Sequence, residues 1–553
     1  MKSGRVMRWL MVLVLLAVMP AGAVRGAGES PVAKAARAGD LATVRKLIAE
    51  RADVNLPAGD GSTALLWAAY QSDLEMVRAL IAAGARFDAA NSYGVTPLLQ
   101  ASRTGDTAVI EALLKAGANP SLAHPEGETP LMAASRAGRI DAVRLLLDRG
   151  AGVNAADLFQ QETALMWAAA EGHAGVVELL LQAGADPNRR AHVTSLAERK
   201  NADHPTGGFT ALMWAARNGH EDVVRSLAKK GADLNLTNGD SATAMSIAIV
   251  NDRFDLAATL LELGANANDG SLYHAVEMRD ATTDWYARDG SQLRANHPNK
   301  RTALDLVDLL LKAGADPNKP FVGTLHSTSM PNGDSANASP FYRAAVAADV
   351  EALKLMIERG VNLEWSPPQA EGGRGGGRGN ANAGRTPLMV AMNGGKGVPL
   401  NAGPGYSREG PPPFREPSNR EPLDALKLLL KAGASPNAKA PDGSTLVHQA
   451  AQGGNLDIIR TLAQAGAKLD VPNKDGLTAL DVAEGKEPEG ARGERGRGAT
   501  PPPAAGGRGR GKGAASPKEV AALLRELMGL PPAPPEPAAP AVEAGSADKK
   551  GAQ

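Results

Sequence analysis

One short phrase recurs along the sequence at intervals of about 33 residues, and this period limits the folds that the chain can adopt. Each copy starts with Thr, continues with Ala or Pro, Leu and a large apolar residue, and ends in small residues. A second phrase that starts with Gly-Ala follows about twenty residues later. Such a period is typical of stacked units, none of which buries its apolar face alone. The first phrase starts at Thr63, Thr96, Thr129, Thr163, Thr210 and Thr386, and the second at Gly117, Gly184, Gly231 and Gly314.

The residues of one unit predict a helix, a turn, a second helix and a long turn. The hydroxyl of Thr63 can accept hydrogen bonds from the free N–H groups of the first turn, and Pro97 suits the first helical position of its copy. Leu65 and the alanines after it form a narrow apolar stripe at helical spacing. Gly184 ends a second, more apolar helix, and the turn residues from Asp186 lead into the next unit.

These phrases resemble those of the ankyrin-repeat family, and the resemblance covers most of the chain. It implies an all-α solenoid of helix–turn–helix units joined by β-hairpin-like turns, with about eleven units and several long flexible insertions. Most members of that family have His at the fourth position of the first phrase, which only His448 keeps here. Apolar packing is therefore expected to replace the hydroxyl–imidazole network. The replaced positions are Leu66, Leu99, Met132, Met166, Met213 and Met389.

The regularity of the spacing divides the chain into segments. Residues 31–270 hold regular repeats, and residues 271–485 hold degenerate repeats and repeats with insertions. An Arg/Gly/Pro-rich insertion at 486–515 and a Pro/Ala-rich tail at 531–553 bury too little apolar area to fold and are predicted to be flexible. Residues 516–530 are predicted to form a C-terminal capping helix, because Ser516 and Glu519 have the spacing of a capping box around Pro517.

The first 23 residues have the pattern of a secretory signal peptide. Basic residues precede an apolar run that ends at Met19, and a small-residue site, Ala-Gly-Ala, ends at Ala23. The run is too short for a stop-transfer helix, so we expect cleavage after Ala23, or alternatively after Ala27, and no membrane insertion afterwards. An uncleaved N-terminal anchor is the less favoured alternative. Because the chain has no Cys, export to a bacterial periplasm is favoured, with extracellular release as the alternative.

Composition and motifs argue against several classes of function. The 60 basic residues balance the 60 acidic residues, so nothing global indicates a nucleic-acid or anionic-membrane partner. Arg/Gly tracts such as residues 371–379 leave RNA binding as a weak alternative, because no aromatic residue is interleaved with them. Gly506 to Lys512 has the spacing of a phosphate-binding loop, but Gly513 stands where Ser or Thr is required. We expect no enzyme activity, no metal and no cofactor.

Histidines at one point of the repeated unit have a structural interpretation. His173 and His220 each follow Gly in the turn between two helices. The resemblance implies that their imidazoles bond the neighbouring loop, so they are not expected to be metal ligands or catalytic groups.

The resemblance implies a monomeric protein-binding scaffold of the cell envelope, with a protein partner on its concave face and hairpin tips. Each of Trp67, Trp167 and Trp214 lies two residues after the core Leu of its helix, about 200° around the axis, and should point to that face. Such aromatics are the usual anchors of binding energy, although these rings could instead only shield the alanine layer beneath them. The rival function is an organising envelope protein without a single specific ligand. The candidate partner-binding residues are Trp67, Tyr70, Arg103, Trp167, Glu171, Trp214, Arg217, His274 and Arg343.

Overall fold

The structure is a computed structural model of the 553-residue chain. It describes residues 30–195, 206–280, 299–321, 338–367, 382–392, 421–486 and 514–532. The predicted signal peptide, the Arg/Gly tract at 371–379 and most of the 486–515 insertion and of the tail lie outside the described residues.

The described residues form an ankyrin-repeat solenoid fold of 24 helices, paired as twelve repeats, one more than the sequence spacing suggested. A first helix and a second helix make up each repeat. The first helices are α1 (Pro31–Arg37), α3 (Ala64–Tyr70), α5 (Pro97–Thr104), α7 (Pro130–Arg136), α9 (Ala164–Glu171), α11 (Ala211–Asn218), α13 (Ala244–Val250), α15 (Ser271–Asp280), α17 (Pro340–Val346), α19 (Pro387–Ala391), α21 (Leu446–Gly453) and α23 (Ala479–Ala483). The second helices are α2 (Leu41–Ala49), α4 (Leu74–Ala82), α6 (Thr107–Ala116), α8 (Ile140–Asp148), α10 (Ala174–Gln182), α12 (Glu221–Lys229), α14 (Phe254–Glu262), α16 (Ala303–Lys312), α18 (Val350–Ile357), α20 (Pro422–Lys431), α22 (Leu456–Gln464) and α24 (Pro517–Leu527).

The chain divides into two compact units. Residues up to Ala248, together with Glu262–Ala265, form the N-terminal unit, which contains repeats 1 to 6. Ile249–Leu261 and the residues from Asn266 onward form the C-terminal unit, which contains repeats 8 to 12. Within the N-terminal unit, each first helix packs against the next first helix, and each second helix packs against the next second helix. One two-stranded antiparallel sheet in this unit pairs β1 (Val193–Thr194) with β2 (Thr206–Gly207).

The helix starts follow from the capping residues that the sequence predicts. Thr63, at the start of α3, accepts a hydrogen bond from the Leu66 N–H, and the equivalent threonines of α5, α7, α9 and α11 do the same. In α24, Ser516 and Glu519 form the predicted reciprocal capping box, and this helix packs on α23 as the second helix of the last repeat.

Leucines, small residues and methionines fill the core of the repeats. Leu65, Ala68 and Ala69 of α3 are fully buried, and so are the equivalent residues of α9. The Leu and Met residues that replace the family histidine are also buried, as expected. His448 keeps the polar network: Nδ1 lies 2.9 Å from the Thr445 hydroxyl, and Nε2 lies 2.9 Å from the Leu477 carbonyl of the following repeat.

An asparagine in the long turn joins successive repeats in both units. In the N-terminal unit, Asn188 donates from Nδ2 to the Gly231 carbonyl and accepts from the Asp233 N–H. In the C-terminal unit, Asn318 makes the same two bonds, to the Gly360 carbonyl and the Asn362 N–H. Each amide therefore satisfies one carbonyl and one N–H that follow the second helix of the next repeat.

Candidate protein-binding surface

Two positions of the first helices form adjacent rows along repeats 1 to 6. Counted from the capping residue as position 1, they are position 5 and position 8, which share one side of a helix. We call these two rows the Trp/Arg face. Position 5 holds Lys34, Trp67, Gln100, Ala133, Trp167 and Trp214, and position 8 holds Arg37, Tyr70, Arg103, Arg136, Ala170 and Arg217.

Guanidinium groups lie over the three indole rings of this face. The Cζ atom of Arg37 is 5.8 Å from the ring centroid of Trp67, which belongs to the next repeat. Arg136 lies over Trp167 in the same way at 4.9 Å, and Arg217 lies over Trp214 of its own helix at 5.4 Å. At these distances the ring attracts the cation, which holds the arginine head in place.

The tryptophans are half-buried, so the rings take part in packing as well as forming surface. Each Nε1 atom of Trp67, Trp167 and Trp214 is buried, and it has no hydrogen-bond partner among the described residues. One side of each ring therefore shields the alanine layer, as the alternative interpretation proposed. The other side carries a guanidinium, so an approaching partner meets the arginine together with the indole.

The other predicted residues of this face differ in their exposure. Tyr70 is 52% exposed and stacks edge-on against Trp67, with 5.9 Å between the ring centroids. Arg103 is half-buried and forms an ion pair with Glu128, which lies just before the next first helix. Glu171 is exposed at the end of α9. Arg217 is only 7% exposed, so the expectation that it is an open surface residue is wrong: its head lies on Trp214.

The placement of His274 and Arg343 on an open face is also wrong. His274 occupies position 5 of α15, the position of Trp67 in α3, but it is fully buried with its ring edge-on to Phe321 at 4.5 Å. Arg343 occupies position 5 of α17 but is only 2% exposed, and its Nε lies 4.0 Å from a carboxylate oxygen of Glu277. Both residues belong to the interior of the C-terminal unit.

The hairpin tip of repeat 5 projects two apolar side chains that the sequence pattern did not indicate. Leu158 is 70% exposed and Phe159 is 64% exposed, the largest values among the exposed large apolar residues of the described chain. We call this pair the apolar tip. The sequence feature that could have indicated this tip is one extra residue in the turn. Thr163 follows Thr129 by 34 positions, whereas earlier copies are 33 positions apart.

The apolar tip is held by hydrogen bonds on both sides. The buried carboxylate of Asp157 accepts from the N–H groups of Phe159 and Gln160 at 2.9 and 2.6 Å, and from that of Glu162 at 3.1 Å. The Leu158 N–H donates to the Glu126 carbonyl of the preceding tip. This backbone is therefore fixed by its own chain, and its exposed side chains would lose little backbone entropy on binding.

The Gly-His turns confirm the structural interpretation of two histidines. Nε2 of His173 lies 3.0 Å from the Arg136 carbonyl of the preceding repeat, and Nε2 of His220 lies 3.1 Å from the Ala170 carbonyl. A Cβ atom on Gly172 would lie 2.5 Å from Nδ1 of His220, so the glycine makes room for the ring. These imidazoles serve the contact between repeats.

Among the described residues, no group of three or more His, Asp or Glu side chains is arranged to hold a metal ion. Within the same part of the chain, no helix is long and apolar enough to cross a membrane.

Comparisons with known proteins agree with this architecture. The Notch-regulated ankyrin repeat-containing protein of Xenopus tropicalis is 30% identical over 69 residues, which are 12% of this chain and 60% of the relative. Cyclin-dependent kinase inhibitor 2A of Monodelphis domestica is 47% identical over 58 residues, which are 10% of this chain and 34% of that protein. The chain thus spans 60% or less of the length of these curated relatives.

A solved structure and a family model were also matched. The crystal structure of the human ASB11 ankyrin repeat domain matches with a TM-score of 0.37 and 25% identity, covering 43% of this chain and 99% of that domain. The family model for ankyrin repeats in three copies matches residues 32–124, 113–191, 192–271 and 418–492, which together exceed half of the chain. Because this family model matches more than half of the chain, the chain belongs to the ankyrin-repeat family.

Proposed function

We propose that this protein is an exported, non-catalytic scaffold that binds a protein partner through the Trp/Arg face and the hairpin tips of its N-terminal unit. Ankyrin repeats generally mediate protein–protein interaction, which gives the class of function. The observation that carries the specific proposal is the apolar tip. Leu158 and Phe159 expose most of their side chains on a turn that Asp157 fixes in place.

The form of this surface favours a macromolecular partner. The Trp/Arg face repeats over six adjacent first helices, and the apolar tip belongs to the same unit. Small-molecule sites are concave cavities that enclose most of a ligand, whereas protein interfaces combine aromatic and arginine anchors over a broad area. Trp, Tyr and Arg are also the residues most enriched at binding hot spots.

The chemistry of the face supports a non-catalytic role. Its charged groups are mainly arginines, which remain protonated in proteins and cannot exchange a proton with a substrate. The two imidazoles nearest to it, His173 and His220, are engaged with backbone carbonyls of the preceding repeat. General acid–base catalysis requires a group that can change its protonation state at the working pH.

Export to the cell envelope is the second part of the proposal, and it rests on the signal-peptide pattern of residues 1–23. The mature chain should begin near Val24 and contain no retained leader. Mass spectrometry of the protein recovered from the envelope and culture fractions tests this directly. A mature form that keeps residues 1–23 would contradict cleavage, and recovery from the cytoplasm alone would contradict export.

Site-specific photo-crosslinking tests the binding surface. A photoreactive residue at Phe159 or Tyr70 should capture one and the same protein at a fixed stoichiometry, whereas one at Glu178, an exposed residue of a second helix, should not. The captured protein is then purified and titrated. Leu158→Ser together with Phe159→Ser should weaken its binding about tenfold or more, with unchanged melting of the scaffold.

The rival function, an organising envelope protein without a single ligand, predicts a different result. Many partners would then be captured weakly, and the three crosslinking positions would give similar mixtures. Binding that does not respond to the double serine variant would contradict the assigned surface.

A further inference from the structure

We infer that the Trp/Arg face recognises an acidic, extended segment of the partner protein, an inference that rests on the proposed function. Arginine occupies position 8 in four of the six repeats of the N-terminal unit, and no acidic residue occupies position 5 or position 8 there. The whole chain has a formal net charge of zero, so positive charge is in excess within these two rows. The four residues are Arg37, Arg103, Arg136 and Arg217.

The described repeats of the C-terminal unit lack this feature. Position 8 carries no arginine in the repeats whose capping positions are Gly270, Ser339, Thr445 and Thr478. The fold itself therefore does not require arginine at this position. The residues found there are Glu277, Val346, Gln452 and Gly485.

Stacking on indole rings prepares these arginines for carboxylates. The Cζ atoms of Arg37 and Arg136 lie 5.8 and 4.9 Å from the ring centroids of Trp67 and Trp167. A stacked guanidinium keeps its N–H groups at the edge of its plane, where they can form the two parallel hydrogen bonds that a carboxylate accepts. Restricting the side chain beforehand also lowers the entropy lost on binding.

Accessibility selects which arginines contact the partner. Arg37 is exposed and Arg136 is half-buried, so both can present their heads to a ligand. Arg217 is nearly buried against Trp214 and serves mainly to support that ring. Arg103, which is also half-buried, forms an ion pair with Glu128.

The spacing of the helices defines the form of the acidic segment. Packed helices lie about 8–10 Å apart, and an extended chain advances about 3.3 Å per residue. One repeat therefore corresponds to about three residues of an extended partner. The distance from Arg37 to Arg136 covers three repeats, so a carboxylate at about every third position would match the row.

A pair of peptides tests this inference on the full chain. The probe consists of four Glu-Thr-Pro triplets with a fluorescein label, and its control has Gln in place of each Glu. Proline keeps both peptides extended. Fluorescence anisotropy should show at least tenfold tighter binding of the Glu peptide, with an affinity that falls as salt is added. Equal binding of the two peptides, or no binding of the Glu peptide, would overturn the inference.

Variants with equal loss of charge locate the site. Arg37→Gln with Arg136→Gln should lower the affinity for the Glu peptide about tenfold. Arg78→Gln with Arg144→Gln, which removes two exposed arginines from second helices, should change it less than twofold. Arg136→Lys keeps the charge but not the planar fork, and it should bind more weakly than the native chain. Equal losses in the two double variants would assign the effect to net charge and overturn the inference.

Three further outcomes distinguish this inference from its alternatives. A single-stranded RNA of twelve nucleotides that binds this row as tightly as the Glu peptide would identify a general polyanion surface and overturn it. If the protein crosslinked at Phe159 binds equally well to the Arg37→Gln/Arg136→Gln variant, the acidic-segment inference fails while the proposed function stands. If the Glu peptide binds as expected but no stoichiometric protein is captured, the proposed function fails instead.

Discussion

The two units use the same caps and turns but differ in what their first helices bury. In the N-terminal unit, position 7 is a buried alanine in Ala69 and Ala169, and arginine occurs at position 8, on the Trp/Arg face. In the C-terminal unit, position 8 of α15 is Glu277, which is buried near Arg343. The repeat geometry therefore accepts a buried charge at this position, provided that the charge has a partner.

The aspartate that caps the second helix also differs in burial between the two units. Asp73 of the N-terminal unit accepts from the Met76 N–H and remains half-exposed. Asp349 caps α18 in the same way but is completely buried, and Arg279 donates to its two oxygens at 2.7 and 2.9 Å. The cap is thus a surface interaction in one unit and part of a buried ion pair in the other.

The largest expected effect comes from breaking this buried pair. Arg279→Met leaves the Asp349 carboxylate without its main partner and should lower the free energy of unfolding of the C-terminal unit by about 3–5 kcal/mol. The control is Arg225→Met in α12, where the pair with Glu221 is about half exposed and should contribute about 0.3–0.5 kcal/mol. Hydrogen exchange in α15, α17 and α18 measures the loss in Arg279→Met, and exchange in α11 and α12 measures it in the control. Equal losses in the two variants would show that burial does not distinguish the units.

The Gly-His turns of the N-terminal unit give the next largest effect. Gly172 has φ of +80°, and an added Cβ would lie 2.5 Å from His220, so Gly172→Ala should cost about 1–2 kcal/mol in backbone strain and about 1–3 kcal/mol in overpacking. At the equivalent turn of the C-terminal unit, the non-glycine residue Ala348 adopts φ of 51°.

Gly184→Ala separates these two contributions. Gly184 has φ of +89° with no atom within 4 Å of an added Cβ, so its substitution should show the strain alone. Thermal unfolding of the two variants measures the difference. If Gly172→Ala were no more destabilising than Gly184→Ala, the imidazole contact would have no energetic role.

A pH dependence is expected at the last repeat of the C-terminal unit. Burial raises the pKa of Asp481, but hydrogen bonds from Lys486 and Thr478 outweigh it and lower the pKa to about 2. Because the pKa is lower in the folded chain, the ionised carboxylate stabilises the fold at pH values above about 3.9, the pKa of Asp in an unfolded chain. This stabilisation is lost as the pH falls towards 2. Because Lys486 is 56% exposed, we reduce the expected contribution to about 1–2 kcal/mol.

The test compares Asp481→Asn with the native chain by chemical denaturation. The variant should be less stable by that amount at pH 7, and the difference should vanish near pH 2. Asp457→Asn is the control, because its carboxylate is 70% exposed and pairs with Arg460 at the surface. A difference between Asp481→Asn and the native chain that persists unchanged at pH 2 would contradict the assigned ion pair.

Local signals predicted the fold, whereas the placement of charged residues depended on distant parts of the chain. The cap at Thr63 and the capping box of Ser516 involve neighbours three positions away, so the sequence displays both partners. Arg279 meets Asp349 seventy positions later, across a segment of irregular spacing. His274 and Arg343 were therefore placed on a surface from local spacing alone, although their partners bury them.

For the candidate surface too, the sequence predicted features within one helix but not contacts between repeats. The tryptophans and Tyr70 could be placed by helical angle because their rows lie on regular helices. The stacking of Arg136 on Trp167 joins two repeats, so it required the packing of α7 against α9. The exposure of Leu158 and Phe159 depends on a turn that one additional residue reshapes, and repeat spacing gives the length of such a turn but not its conformation.

The smallest expected effect tests what the two units share, which is the asparagine that joins successive repeats. Asn188→Ala and Asn318→Ala each remove two partly solvated hydrogen bonds, and each should cost about 1 kcal/mol in its own unit. Asn188→Asp, which keeps the acceptor for the Asp233 N–H but loses the donor to the Gly231 carbonyl, should cost less than Asn188→Ala. Hydrogen exchange at Asp233 and Asn362 measures the local loss. The hydrogen-bond lengths are similar in both units, so the two alanine variants should lose similar stability. If one variant lost several times more than the other, the units would differ in their turns as well as in their first helices.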